Sequence, residues 1–280
     1  MSENNAVIKT HQMLTRSTAS RYYAQDTVIP SGYLMISSGA FSGQNKIYTL
    51  KLPRDLISIK SKAFYNCQYL KEVCLPHTIQ ELGREAFAEC YRMRKVYISN
   101  RLEKIPDYCF RRDNKLNRVL FTPASCLTSI GTEAFYECGS LPFILLPSRV
   151  TSIGDRAFYR CKQLTTVRFP VGLKSIGKKA FYFCGMDKLE LPDTLEFLDD
   201  SAFFKCVNLT EVVLPTSVRH IGQWVFHGCS RLKVLEIRHD PDYIGPWIIN
   251  RAARIRCYQG SKVDAYCQES GFTTEYIEES

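Results

Sequence analysis

The thiols are the most regularly placed reactive groups in this chain: seven of the twelve cysteines, Cys67, Cys90, Cys138, Cys161, Cys184, Cys206 and Cys229, each stand three residues after a phenylalanine. Cysteines can pair as disulfides, ligate zinc or act as nucleophiles, and the spacing argues against each. Zinc needs ligands paired at short, matched intervals, yet the five histidines (His11, His77, His220, His227, His239) are scattered, and only His227 with Cys229 and His220 form a local group. A Cys-His hydrolase needs one thiol activated by one base, and nothing singles out one cysteine from twelve. The carboxylates show no distinctive pairing, and the glycines follow a long period rather than a phosphate cradle. No catalytic residue, metal site or cofactor is therefore expected.

The cysteines belong to a repeat that runs the length of the chain. Phenylalanines at 41, 64, 87, 110, 135, 158, 181, 203 and 226, with Ile249 as a degenerate tenth mark, are 22 to 25 residues apart. Each unit continues through apolar positions such as Leu70, Val73 and Leu75. Proline often follows, at 53, 76, 147, 170, 192 and 215, and then two apolar residues three apart, such as Val150 and Ile153. Glycine commonly comes next, at 83, 131, 154, 177, 222 and 245. A chain built this way is a solenoid.

Val73 and Leu75, two apart, point to one face of a short half-buried strand, while Glu72 and Cys74 point to the other. Proline ends the pairing because it has no N–H to donate, and the glycine is expected to supply a positive φ in the corner. Ala63, Phe64, Cys67 and Leu70 are at roughly helical spacing, so a helical or 3₁₀ turn is expected there. One unit cannot enclose its own apolar side chains and must stack on its neighbours. A thiol in such a column cannot pair with both neighbours, and the position wants a small polarisable side chain. Reduced, buried thiols are expected.

The pattern Ile153, Gly154, Ala157, Phe158, Cys161, Leu164, Val167, Phe169, Pro170 resembles the BspA-like leucine-rich repeats over about three quarters of the chain. The resemblance implies an α/β class fold: a right-handed leucine-rich-repeat solenoid with a parallel β-sheet on one face and short helical turns on the other. It also implies a protein-binding or adhesive role. Unit three departs from the pattern, with Cys109 in the alanine position, Asp113 in the cysteine position, and a corner two residues longer around Pro123 to Cys126. The stack is expected to be irregular there.

Three segments are expected: residues 1–38 as a polar N-terminal segment and cap, 39–258 as a solenoid of nine to ten units, and 259–280 as a C-terminal cap. Residues 1 to about 20 are polar and expected to be mobile. Near the other end Ser261 and Asp264 resemble a capping box before a short helix, Gly271 would stop it, and Phe272 to Ile277 could return as a last strand. Met1 to Tyr23 has no apolar run of signal-peptide length. With the reduced thiols this points to the cytoplasm, the cell surface or secretion being the alternative. No run is long and apolar enough for a membrane helix, so no membrane insertion is expected.

The formal charge of +9 is uneven: Arg92 to Arg118 holds nine basic residues against three acidic ones, whereas beyond Lys262 the chain has only acidic charges. Such polarity steers anionic partners. Nucleic acid is a weaker expectation, because acidic residues interrupt the basic span. Reading outward strand positions unit by unit brings Lys95, Tyr97, Arg118, Leu120, Phe143, Leu145 and Arg168 together as an aromatic and basic patch, the usual make-up of an interface hot spot. The expected function is a non-catalytic protein–protein interaction module, a monomer binding a protein partner through its strand face. An adhesin-like protein binding host protein or polysaccharide is the alternative.

Overall fold

The structure, a computed structural model, describes residues 12–278. His11 and most of the segment expected to be mobile lie outside the described residues. Residues 12–20 do not fit that expectation: Met13–Leu14 pairs in parallel with Met35–Ile36, and Thr15 caps the helix Arg16–Ala19 by a reciprocal side-chain and backbone exchange with Thr18.

Nine phenylalanines, from Phe41 to Phe226, are fully buried one per coil. Each ring stacks on the next with centroids 4.9–5.9 Å apart and planes within 13°. The column passes without interruption through Phe110, whose rings on either side lie at 5.9 and 5.4 Å. The irregularity expected in unit three falls elsewhere, on the strands.

All strands pair in parallel and they form two walls. One wall carries the strands the repeat predicts, in four ladders. Asp26–Val28 pairs with Thr49–Lys51, and Lys95–Ile98 lies between Glu72–Cys74 and Arg118–Phe121. Phe143–Leu145 pairs with Thr166–Arg168, and Glu211–Leu214, Val234–Ile237, Arg254–Cys257 and Thr273–Tyr276 close the series. Continuing the repeat places Lys188 and Glu190 at the next outward strand positions after Thr166 and Arg168, but both lie outside any strand. The second wall, which the repeat reading missed, is made of two-residue strands such as Ser152–Ile153, seven of them continuous from Lys104–Ile105 to Tyr243–Ile244.

On the turn side the coil is a chain of turns. Ala157, Tyr159 and Cys161 donate their N–H three residues back within the coil, whereas Arg156, Phe158 and Arg160 donate to Lys178, Ala180 and Tyr182 of the next coil, each at 2.8 Å. A regular helix would keep all of these bonds inside its own segment. The alternation places the residues two before and two after phenylalanine at positive φ: sixteen residues other than glycine, among them Lys62, Glu89 and Phe183, have φ between 51° and 63°. The repeat glycines, by contrast, have ordinary φ. Their role is close backbone approach, since a Cβ on Gly83 would lie 2.2 Å from the Ser61 nitrogen.

The column cysteines serve the same stacking. All seven donate Sγ to the phenylalanine carbonyl of the preceding coil at 3.1–3.3 Å. Burial pushes the Cys67 and Cys229 thiols up to about 12, far from the reactive thiolate form. Asp113 breaks the series: fully buried, it accepts the Cys90 N–H through Oδ1 at 2.8 Å, while its Oδ2 has no partner. Burial holds its carboxyl well above the usual carboxylate range. At the end of the chain Ser261 caps the helix Lys262–Ser270, which stops at Gly271 in the left-handed conformation.

Three outcomes follow from this packing. Phe158→Ala should lower the unfolding free energy by about 3–5 kcal/mol in a denaturant titration. For Asp113, protonation favours the fold, so stability is full at pH below the unfolded pKa near 3.8 and falls as pH rises toward the raised folded value. Asp113→Asn should therefore gain stability over the parent by about 1.4 kcal/mol per pH unit across that window, with no gain at the acid end, read by denaturant titration at several pH values. A chromogenic disulfide reagent should titrate Cys74 and Cys126 promptly in the native protein, the other ten being buried, and all twelve thiols in denaturant without reductant.

Candidate interaction face

Alternation along each strand decides which side chains face out. In Lys95–Ile98, Val96 and Ile98 are buried while Lys95 and Tyr97 face outward; in Phe143–Leu145, Ile144 is buried between two exposed neighbours. The seven residues singled out by the repeat all occupy outward positions. Register places Arg118 beside Lys95 and Leu120 beside Tyr97, and Leu145 beside Arg168. Tyr97, Phe143 and Leu145 are 36%, 42% and 53% exposed, high values for apolar side chains on ordered strands.

The patch has two parts. No ladder joins Arg118–Phe121 to Phe143–Leu145 among the described residues, and the chain between them is two residues longer than elsewhere, the excess lying around Pro123 to Cys126. Lys95, Tyr97, Arg118 and Leu120 form one part; Phe143, Leu145 and Arg168 form the other.

Its electrostatics are sharper than the formal charge suggests. On the turn side the basic residues are largely neutralised: Glu133 bridges Arg111 and Arg156 at 3.2 and 3.3 Å, and Arg112 lies between Glu89 and Glu137 at 3.7 and 3.5 Å. Arg92 stacks over Tyr69, 4.4 Å from the ring centroid. On the strand wall Lys95, Arg118 and Arg168 have no ion pair among the described residues. The Lys95 ammonium lies 4.7 Å from the Tyr97 centroid, an attraction that orders both side chains.

The short-strand wall carries residues the repeat reading did not pick out. Phe197, His220 and Tyr243 stack at 4.1 and 4.6 Å along consecutive coils. Their 23-residue spacing is visible in the sequence, but two-residue strands give too little alternation to mark them as outward. Tyr136, Tyr159, Tyr182 and Phe204 form another column on the turn side. Among the described residues no three metal-ligating side chains converge, and no helix is long and apolar enough to cross a membrane. His227 and Cys229 do not act together: His227 Nδ1 faces the Ile249 carbonyl, and Cys229 Sγ the Phe203 carbonyl.

Among solved structures, a leucine-rich repeat protein from Bacteroides ovatus has 24% identity and a TM-score of 0.68, matching 85% of this chain and 63% of its own. The chain thus spans under two thirds of that protein's length. A leucine-rich repeat protein from T. pallidum has 25% identity and a TM-score of 0.50, with 90% of this chain and 86% of that one covered. No curated protein matches the chain. The model of the BspA type leucine rich repeat region matches residues 34–138 and 128–255 in six copies. With the stacked phenylalanines, the parallel walls and that match over most of its length, the chain belongs to the BspA-type leucine-rich repeat family.

Proposed function

We propose that this chain is a non-catalytic protein-interaction module that binds a protein partner through its strand wall, at Lys95, Tyr97, Arg118, Leu120, Phe143, Leu145 and Arg168. The observation that carries the reading is the exposure of Tyr97, Phe143 and Leu145 beside cations without ion pairs, on strands whose other faces are locked in the core. Apolar rings and guanidinium groups held rigid lose little entropy on binding and make hot spots. The complementary surface is acidic with an apolar centre, and the association weakens with salt. The twelve unpaired cysteines favour a reducing compartment, the cytoplasm, as its place of action.

The double variant Tyr97→Ser/Phe143→Ser tests the reading. In a pull-down from the native lysate it should lose at least tenfold of the protein retained by the parent, two hot-spot side chains being worth about 2 kcal/mol each. Its melting midpoint should stay close to the parent's, since both side chains are at the surface. Retention equal to the parent's would remove this patch. Retained nucleic acid that falls steeply with salt would replace the protein reading.

A further inference from the structure

The strand wall lacks one strand. Between Thr166–Arg168 and Glu211–Leu214 the chain passes through residues 187–191, which form no strand. The repeat is one residue short here, Phe181 to Phe203 being 22 residues. Among the described residues no backbone hydrogen bond involves Met186 to Leu191.

The consequence falls on the next strand. In this wall an outward residue turns its backbone N–H and C=O toward the preceding coil, as the carbonyls of Tyr97 and Arg168 accept from Leu75 and Leu146 at 3.0 and 3.1 Å. Glu211 and Val213 are the outward residues of their strand, paired in register with Val234 and Glu236 of the following one. Their N–H and C=O groups therefore face the missing strand. Proteins usually guard such an edge with lysine, proline or a covering loop; this one presents Val213, 48% exposed.

A groove of about 820 Å³ runs along this edge, walled by residues 187–193 on one side and 210–216 on the other. In a chain of net charge +9 its walls are acidic. Asp187, Glu190 and Asp193 are exposed and without ion pairs among the described residues, and Glu211 reaches only Arg256 at 3.7 Å. At the floor Glu236 is already held by Arg256 and Arg238. Lys188 is the one opposing charge in the groove without an ion pair among the described residues.

We propose that this groove binds an extended polypeptide segment with lysine or arginine at alternate positions, added as a strand to the open edge of Glu211–Leu214. An extended backbone supplies donors and acceptors at the spacing the edge presents. Cationic side chains on one face of that segment meet the free carboxylates, and charge complementarity sets its choice of partner. The site uses residues outside the Lys95 to Arg168 patch and stands or falls separately from it.

Amide exchange on the ¹⁵N-labelled full chain tests this with a short synthetic peptide of alternating lysine and valine. The Glu211 and Val213 amides should exchange freely in the protein alone and slow at least tenfold when the peptide is added. The peptide with glutamate in place of lysine, and the lysine peptide N-methylated at alternate backbone nitrogens, should each bind at least tenfold more weakly. Glu190→Lys/Asp193→Lys, two exposed positions, should weaken the lysine peptide at least tenfold while leaving the melting midpoint unchanged. Any of four results would overturn the proposal: protection of Glu211 and Val213 in the free protein, equal binding of either control peptide, no binding of the lysine peptide, or undiminished binding by the folded double variant.

Discussion

Around each buried ring the backbone divides its donors between its own coil and the next, and the geometry of the molecule follows from that division. Arg156, Phe158 and Arg160 send their N–H groups across to Lys178, Ala180 and Tyr182, while the residues between them close turns within the coil. Sending every second donor sideways is incompatible with a helix, so each coil adopts positive φ on both sides of its phenylalanine. That conformation costs roughly 1 kcal/mol or more for a residue with a Cβ. The cost is met by cross-coil bonds that hold neighbouring coils at the spacing where rings stack. The cysteine completes the arrangement, its thiol giving the phenylalanine carbonyl a second donor. Asp113 shows the demand by failing it: among the described residues no thiol donates to the Phe87 carbonyl, and a carboxyl oxygen is left buried without a partner.

Errors in the period are not shared equally among the faces. The step of 25 residues before Phe135 and the step of 22 before Phe203 leave the ring column intact. Both appear as interruptions of the long-strand wall. Displacing a ring from the column would open a cavity worth several kcal/mol. A ladder bond lost at the surface is partly replaced by water and costs about 1 kcal/mol. Insertions and deletions therefore accumulate where the strands are, on the wall that carries the proposed interaction face.

Positions where the fold constrains a side chain were legible in the sequence. Phe158, Cys161 and Leu164 stand at positions that are apolar, small or branched in most coils, so they recur and give away the column, the buried thiols and the outward places of Tyr97 and Phe143. Positions where the fold constrains only the backbone were not. Lys62, Glu89 and Phe183 share a positive φ and no side-chain chemistry, and their common role leaves no mark on residue type. Gly83 and Gly154 did leave a mark, but one glycine signal serves two causes, and close approach rather than a turn was the cause here. Leu189 and Leu191 alternate like a strand; whether they pair depends on the length of chain before them, which alternation does not encode. The capping exchange at Thr15 was likewise hidden inside a stretch whose polarity suggested mobility.

The two candidate surfaces lie on one wall with opposite charge, and their spacing decides whether they can cooperate. Successive strands are about 4.8 Å apart, so Arg168 and Glu190 sit on neighbouring coils within the screening length of about 8 Å at physiological ionic strength. Lys95 and Glu190 are four coils apart, about 19 Å by the same spacing, and at that distance each feels the other weakly. The arginines that could have blurred the contrast are engaged on the turn side by Glu89, Glu133 and Glu137. A partner of one sign therefore meets attraction at one end of the wall and repulsion at the other. Simultaneous occupancy requires either two partners or one whose own charge reverses over the same distance along an extended backbone.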